Sequence, residues 1–232
     1  MNLDNYAPVL AFFAHPDDET LAAGGTIKKL TSRGVDVHIA IPATGIHSRR
    51  NIKSEVSRNS DLINLRKNCE KAMIVLGIRS ENIYLGKFLD NEMDKHTLLE
   101  LVHWLEEIIS NVKPKLIMTH HRFCTNIDHQ YCYNAAIVAS RPDTKSHISL
   151  LSGEVPSSTG YIKPTAWDPN FYVELTEDQI DCKIKAMETY KGEARSDPHP
   201  RSGEVLKALA KVRGSESGFY FAEAFMLQNG FG

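Results

Sequence analysis

Val9-Leu10-Ala11-Phe12-Phe13-Ala14-His15-Pro16-Asp17-Asp18-Glu19-Thr20 is the stretch that best indicates the fold and the chemistry of this chain. Its first six residues are apolar, which is typical of a strand buried on both faces of a sheet. A histidine and three carboxylates follow at once, and Pro16 favours a sharp backbone turn there. Polar groups at the end of a buried strand predict a parallel sheet that carries its functional site at that edge.

The side chains of this turn suit a catalytic metal ion. Imidazole and carboxylate are good Zn²⁺ ligands, and a catalytic zinc usually takes three protein ligands and one water. His15 and Asp18 would supply two of the three ligands. Asp17 or Glu19, beside the ligands, could accept a proton from that water as general base. The alternative is that Asp17 and Asp18 only cap the following helix.

The composition is that of an ordinary globular protein. The chain has 232 residues, of which 42% are hydrophobic, enough for one sizeable α/β domain. Its 27 basic and 29 acidic side chains give a formal charge of −2, so no surface for nucleic acid or anionic membrane is predicted. No apolar run approaches the roughly 20 residues that span a bilayer, and no signal peptide is recognisable. We therefore expect one cytoplasmic domain over residues 1–232.

Alternating strand and helix patterns predict an α/β fold, with a Rossmann-like, mostly parallel sheet flanked by helices and a C-terminal elaboration. The predicted strands are residues 9–14, 35–41, 83–85, 115–119, 148–155, 171–175 and 218–227. The predicted helices are residues 20–33, 54–76, 98–109, 127–140, 177–190 and 205–212, and a loop is predicted over 42–50.

A second polar stretch follows the predicted strand at 115–119 and includes His120, His121, Cys124 and His129. In a parallel sheet this stretch lies at the same edge as His15, so His129, His120 or His121 can complete a three-ligand site. The alternative for the adjacent pair His120 and His121 is an exposed loop. No C-x-x-C pair occurs, so the cysteines predict neither a disulfide framework nor a cysteine-type zinc site, although Cys124 is close enough in sequence to touch the site.

The motif at residues 14–19, continued by 20–25 and by Asn126-Ile127-Asp128-His129, resembles the PIG-L or LmbE-like family of zinc-dependent N-deacetylases. The block Arg66-x-x-x-Glu70-x-Ala-x-x-x-Leu-Gly is similar to a third family motif. Without the resemblance, the spacing of Arg66 and Glu70 indicates only a solvated ion pair on a helix. Residues 197–202 and 222–225 also resemble the sugar-modifying branch of the family.

The resemblance implies a set of site residues. His15, Asp18 and His129 would bind Zn²⁺, or another divalent cation such as Fe²⁺, and Asp17 would be the general base. The resemblance further implies that two other side chains, Arg66 and Asp90, face the sugar or its appended group.

Asn126 stands where members of the family often carry a histidine. An amide can donate a hydrogen bond to an oxyanion but cannot pass a proton near neutral pH. His199, held between two prolines, is the first candidate for the missing group because its unperturbed pKa lies near 6.5; His120 or His121 is the second. Asp128 is expected to orient a histidine or tune the metal. The alternative for His199 is a rigid surface turn.

The expected reaction is metal-assisted hydrolysis that removes an N-acetyl or small N-acyl group from an amino sugar or its conjugate, a small molecule. An amidase or deformylase acting on a non-sugar or thiol conjugate remains open, as does a phosphoesterase, which would normally bind two metals. The turn after the first strand lacks G-x-G-x-x-G, which argues against a dinucleotide-dependent oxidoreductase. Relatives of this kind often assemble into rings or trimers, so a homo-oligomer also remains open.

Overall fold

The computed structural model describes residues 3–43, 55–144, 146–163 and 167–231. Within these ranges the strands are β1 (Val9–Phe12), β2 (Val37–Ala43), β3 (Ile83–Phe88), β4 (Leu116–His120), β5 (Ser149–Gly153), β6 (Phe171–Leu175) and β7 (Phe221–Asn229). The helices are α1 (Asp18–Ser32), α2 (Glu55–Leu76), α3 (Leu98–Val112), α4 (Ile127–Ala139), α5 (Glu177–Thr189) and α6 (Gly203–Ser217).

The strands form one sheet in the order β3-β2-β1-β4-β5-β7-β6. The first five strands in this order are parallel, while β7 pairs antiparallel with both β5 and β6. The prediction of an α/β fold with a mostly parallel sheet is thereby confirmed, and the C-terminal elements extend that same sheet. The expectation of one domain over residues 1–232 stays a prediction.

Several predicted element boundaries were wrong. β1 ends at Phe12 and α1 begins at Asp18, each two residues earlier than predicted, so the turn between them covers residues 13–17 instead of 15–19. β2 continues through Pro42 to Ala43, and β3 reaches Phe88, because Ala43 pairs with Phe88 beyond a register shift. α6 starts at Gly203 after the Ser202 cap and runs to Ser217, longer than predicted. Residues 44–50 of the predicted loop and position 54 lie outside the described residues.

Both faces of the sheet are covered by helices. Val9 and Ala11 of β1 join the core cluster that contains side chains of α1, α2, α5 and α6. Leu10 and Phe12, which point to the opposite face, join a second cluster with α3 and α4. This explains why β1 is apolar without alternation: a strand in the middle of a three-layer sandwich contacts protein on both sides.

The order in which strands are added to the sheet changes direction between β1 and β4. From β1 it proceeds to β2 and β3 on one side, then crosses to β4 on the other. In open α/β sheets the crevice outside the carboxyl ends of such strands is the usual ligand site. The turn at residues 15–18 and the segment before α4 both lie at this crevice. None of the helices in the described part of the chain is long and apolar enough to cross a bilayer.

Candidate metal centre and active site

The turn after β1 has an unusual backbone conformation at Asp17. This residue is the N-cap of α1, with φ 116° and ψ −29° in the left-handed region, where a residue with a side chain is strained by about 1–3 kcal/mol. Its side chain makes no capping hydrogen bond. The interpretation of Asp17 as a helix cap alone is therefore wrong, and its carboxylate is available for other contacts.

His15, Asp18 and His129 lie together at the crevice. Asp18 Oδ2 is 3.0 Å from His15 Nδ1 and 3.1 Å from His129 Nε2, and the two imidazole ring centroids are 5.4 Å apart. All three residues are buried. The turn after β1 supplies the first two side chains, and the first turn of α4 supplies the third.

This donor set fits a divalent cation. Two atoms bound at about 2.0–2.1 Å to one tetrahedral ion lie roughly 3.3 Å apart, close to the separations of Asp18 Oδ2 from the two ring nitrogens. Burial favours the neutral form of Asp18, but His129 and His15 outweigh it and hold the pKa of this carboxyl well below its usual value. Asp18 is therefore ionised, as a metal ligand must be.

The other nitrogen of His15 faces two carboxylates. Nε2 of His15 lies 2.9 Å from Asp128 Oδ2 and 3.2 Å from Asp90 Oδ1. Asp128 is fully buried and also accepts the backbone N–H groups of Asn91 and Met93, at 2.6 and 3.1 Å. A proton on Nε2 directed at Asp128 leaves Nδ1 with its lone pair toward Asp18 and His129, the arrangement that orients metal-binding histidines.

The ring of His129 is held from two sides. Its Nδ1 lies 3.3 Å from the Ser158 hydroxyl, and the ring of His120 stacks on it with centroids 3.8 Å apart. His120 Nε2 accepts the backbone N–H of Ala14 at 2.7 Å. Burial lowers the pKa of His120 well below its usual value, and the neighbouring His129 makes a smaller contribution in the same direction. The ring is therefore neutral and unsuited to protonate a leaving group.

His120, Cys124 and His129 form a second group whose ligand atoms lie within 4.8 Å of one another. Burial raises the pKa of the Cys124 thiol to about 11, and its Sγ lies 3.0 Å from the Thr159 hydroxyl. A thiol of this kind is a weaker ligand than the carboxylate of Asp18. The alternative of an exposed loop for His120 and His121 is wrong, because both are buried, the second against Trp167.

Asp17 is buried beside this centre and is paired with a basic residue from far along the chain. Arg201 Nη1 donates to Asp17 Oδ2 at 2.7 Å and to Glu193 Oε2 at 2.9 Å. Burial raises the pKa of Asp17 well above its usual value, while Arg201 acts in the opposite direction. The Asp17 backbone N–H donates to Glu19 Oε2 at 3.1 Å, so the Glu19 carboxylate stabilises the turn that carries Asp17.

His199 lies on the C-terminal loop before α6 and lines the same cleft as His15 and Asp17. Its Nδ1 accepts the backbone N–H of Arg201 at 3.1 Å, so the neutral ring carries its proton on Nε2. Partial burial lowers the pKa of His199, and the positive charges of Arg201 and Arg195 contribute less in the same direction. The ring is therefore neutral at neutral pH and can donate a hydrogen bond from Nε2.

The cleft over these residues has a volume of about 870 Å³. The predicted site residues that line it are His15, Asp17, Asp90, Asn126, His129 and His199. A volume in this range suits a small-molecule ligand.

Asn126, which lines the cleft, and Arg66 and Asp128, which do not, make the following contacts. Arg66 is not among the residues that line the cleft; its Nη2 donates to the Gly86 carbonyl at 3.4 Å. Asn126 caps α4 by accepting from the Asp128 N–H, and its amide also donates to Asn91 Oδ1 at 2.8 Å. Asp128 contacts His15 rather than the cleft. The roles assigned to these residues stay predictions.

Sequence reasoning missed Arg201 and Ser158. Arg201 lies two positions after His199, in a loop that the sequence does single out, but its partner Asp17 is 184 positions away. Ser158 belongs to a Ser-, Pro- and Gly-rich loop, and only its contact with His129 distinguishes it from the other serines. No periodicity or motif spacing indicated either contact.

Comparison with known proteins gives relatives over most of the chain. Diacetylchitobiose deacetylase of Thermococcus kodakarensis is 25% identical over 227 residues, which cover 93% of this chain and 80% of the relative. Among solved structures, N,N′-diacetylchitobiose deacetylase from Pyrococcus horikoshii superposes with a TM-score of 0.79 at 21% identity, over 98% of this chain and 85% of that chain.

The same fold also occurs with a different reaction. GalB, the 4-carboxy-2-hydroxymuconate hydratase from Pseudomonas putida KT2440, has a TM-score of 0.71 at 17% identity, over 97% of both chains. Similarity of fold at this level does not identify the reaction.

Residues 10–140 match the family model PIG-L, described as GlcNAc-PI de-N-acetylase. This match covers more than half of the chain and includes the turn after β1 and the start of α4, which together carry His15, Asp18 and His129. The chain therefore belongs to the PIG-L family.

Proposed function

We propose that this protein is a metal-dependent hydrolase that removes an N-acetyl, or another small N-acyl, group from an amino sugar or amino-sugar conjugate. The observation that carries the proposal is the convergence of His15, Asp18 and His129 beside the buried carboxylate of Asp17. Membership of the PIG-L family and the similarity to diacetylchitobiose deacetylase support this substrate class.

We propose Zn²⁺ as the cation held by His15, Asp18 and His129, with Fe²⁺ as the alternative. When bound, such a cation lowers the pKa of a coordinated water toward neutrality and polarises a carbonyl oxygen. The chain itself supplies the ligand geometry, because Asp128 orients the His15 ring and Ser158 contacts the far nitrogen of His129.

Asp17 is the proposed general base. Its carboxylate accepts a proton as the oxygen of water bonds to the acyl carbon. The same proton then passes from Asp17 to the amide nitrogen as the carbon–nitrogen bond breaks, leaving a carboxylic acid and a free amine. One group thus serves as base and then as acid, so the reaction needs no second proton carrier.

His199 is the proposed donor to the acyl oxygen as negative charge develops there. The ring is neutral at neutral pH and carries its proton on Nε2, so it supplies a hydrogen bond rather than a proton. Asn126 offers a second N–H at the edge of the cleft, although one of its amide hydrogens is engaged with Asn91.

A two-metal phosphoesterase is less well supported. His15, Asp90 and Asp128 form a further group of candidate ligands, but this group shares His15 with the first. A second ion would require both ring nitrogens of His15 to bind metal at once. The carboxylate of Asp128 instead has the position of a hydrogen-bond acceptor for Nε2.

The proposal is tested with the wild type, Asp18→Ala and Asp17→Asn. We expect metal analysis to find about one ion per chain in the wild type and in Asp17→Asn, and little in Asp18→Ala. Acetate release from N,N′-diacetylchitobiose and other N-acetylglucosamine derivatives should be lost in both variants. An Asp17→Asn variant that still turns over would remove Asp17 as the base. A metal-loaded wild type that releases neither acetate nor another small acid from any N-acyl amino sugar would refute the function.

A cytoplasmic location and a homo-oligomer stay predictions.

A further inference from the structure

The strongest unassigned feature is the contact between the C-terminal loop and the turn after β1. Arg201 reaches Asp17 with a hydrogen bond of 2.7 Å, and its side chain is 23% exposed while that of Asp17 is 4% exposed. Arg201 also lines the cleft. The residues that match the PIG-L model end at position 140, so this contact comes from a later part of the chain.

The loop that carries Arg201 is braced by its own hydrogen bonds. The backbone N–H of Ser202 donates to the His199 carbonyl at 2.9 Å, and that of His199 donates to Ser196 at 3.2 Å. Ser202 then caps α6 by accepting from Val205 at 3.2 Å. These bonds fix the backbone that carries Arg201, and the planar guanidinium then loses less side-chain freedom for each hydrogen bond that it forms.

The guanidinium contacts only one of the two Asp17 carboxylate oxygens. Nη1 donates to Oδ2, and Nε donates to the Ser157 hydroxyl at 3.3 Å. Among the described residues no hydrogen bond reaches the other oxygen, Oδ1 of Asp17. One oxygen is thus held by Arg201, and Asp17 itself lines the cleft.

We infer that Arg201 is a positioning residue for the proposed reaction: it fixes the Asp17 carboxylate through Oδ2 so that Oδ1 is presented to the water that attacks the acyl carbon. The inference rests on the proposed function. Glu193 is a second acceptor of Nη1, at 2.9 Å, and so also helps to hold the guanidinium. The backbone N–H of Arg201 also orients the His199 ring, so one loop positions two groups of the site.

The first test compares Arg201→Ala with Arg201→Lys in the metal-loaded enzyme. For Arg201→Ala we expect kcat for acetate release from N,N′-diacetylchitobiose to fall about 100-fold, the scale of a misplaced catalytic group, with KM and metal content little changed. Arg201→Lys should recover part of the rate, because an ammonium can hold one carboxylate oxygen but cannot reproduce the guanidinium fork. Added millimolar guanidinium should restore Arg201→Ala and leave Asp17→Asn inactive.

Arg213→Ala is the matched control. Arg213 has a side chain that is 14% exposed and pairs with Glu154 and Glu216, but it lies on α6 and does not line the cleft. Its loss should leave kcat within about twofold and show no rescue by guanidinium. Unchanged kcat in Arg201→Ala, or a rise in KM alone, would overturn the inference; the second result would assign Arg201 to substrate binding instead.

A second readout does not depend on activity. In a crystal structure of metal-free Arg201→Ala, the Asp17 carboxylate should leave the orientation that it has in metal-free wild type. An unmoved Asp17 would overturn the inference even if the rate falls. If the wild type hydrolyses no N-acyl amino sugar, the proposed function fails, and this structure still decides whether Arg201 holds Asp17.

Discussion

Asp128 Oδ2 lies 2.9 Å from Nε2 of His15, although the two residues are 113 positions apart in the sequence. The contact gives Nε2 of His15 a carboxylate acceptor, while Nδ1 of the same ring is directed at Asp18, 3.0 Å away. Because Asp128 also accepts two backbone N–H groups from residues 91 and 93, its own position is tightly defined. The metal affinity of the site should depend on it.

Asp128→Asn should weaken metal binding by about 10–100-fold, the usual effect of losing the carboxylate behind a histidine ligand. The amide keeps the size of the side chain but no longer offers two anionic oxygens to His15 and the backbone. Competition with a chromophoric chelator measures the affinity. Asp178→Asn, at an exposed position of α5, is the control and should bind metal like the wild type. Equal affinities in both variants would show that His15 needs no orienting carboxylate.

His199→Gln should retain more activity than His199→Ala. Partial burial, Arg201 and Arg195 lower the pKa of His199 below its ordinary value. The ring is therefore neutral at neutral pH and gains a proton only in more acidic solution. A glutamine amide can replace the hydrogen bond but cannot titrate. We expect kcat to fall about 100-fold or more in His199→Ala, the cost of losing one oxyanion donor, and less in His199→Gln.

Metal content should be the same in both His199 variants, which separates an effect on chemistry from one on the metal. If His199→Gln is as slow as His199→Ala across the pH range, His199 supplies a proton and Asp17 does not act alone. If His199→Ala is as fast as the wild type, the loop is only a rigid connector.

Cys124→Ala should keep its metal and most of its activity. Burial raises the pKa of the thiol to about 11, so at neutral pH the sulfur is protonated and binds metal poorly compared with the ionised Asp18. Metal analysis at neutral pH with limiting Zn²⁺ provides the measurement. Loss of the metal in a folded Cys124→Ala variant would instead place the ion at His120, Cys124 and His129.

Glu223→Ala should destabilise the fold by about 3–5 kcal/mol, because it leaves a buried ammonium without its partner. Glu223 Oε1 lies 2.7 Å from Lys183 Nζ, and the carboxylate also accepts the backbone N–H groups of Gly25 and Thr26 within α1. Denaturant unfolding gives the free-energy change. Lys207→Ala, which breaks an exposed pair with Glu177, should change stability by no more than about 1 kcal/mol.

A Glu223→Ala variant as stable as Lys207→Ala would mean that the Lys183 ammonium finds water or another partner. The double variant Lys183→Met with Glu223→Leu should be less destabilised than Glu223→Ala, because it removes the uncompensated charge.

Much of the fold could be predicted from local patterns. The unbroken apolar run of β1 indicates burial on both faces, and the α/β class and mostly parallel sheet followed correctly from the alternation of strands and helices. The exact ends of elements could not be predicted in the same way. β2 extends through Pro42 because its partner β3 continues to Phe88, and pairing between distant strands is not visible in either segment alone.

By itself, the sequence predicted that His15 and Asp18 meet one of His120, His121 and His129 at the carboxyl edge of the sheet, because these residues follow buried strands or begin the next helix. Among the three histidines, His129 was singled out by the resemblance to the PIG-L family. The tertiary structure alone decided how each is held: Asp128 behind His15, Ser158 beside His129 and Arg201 on Asp17. These partners are brought together by packing of elements that are far apart in the chain. Hydrogen-bond geometry between such groups depends on the orientation of whole helices and loops, which no local pattern of residues encodes.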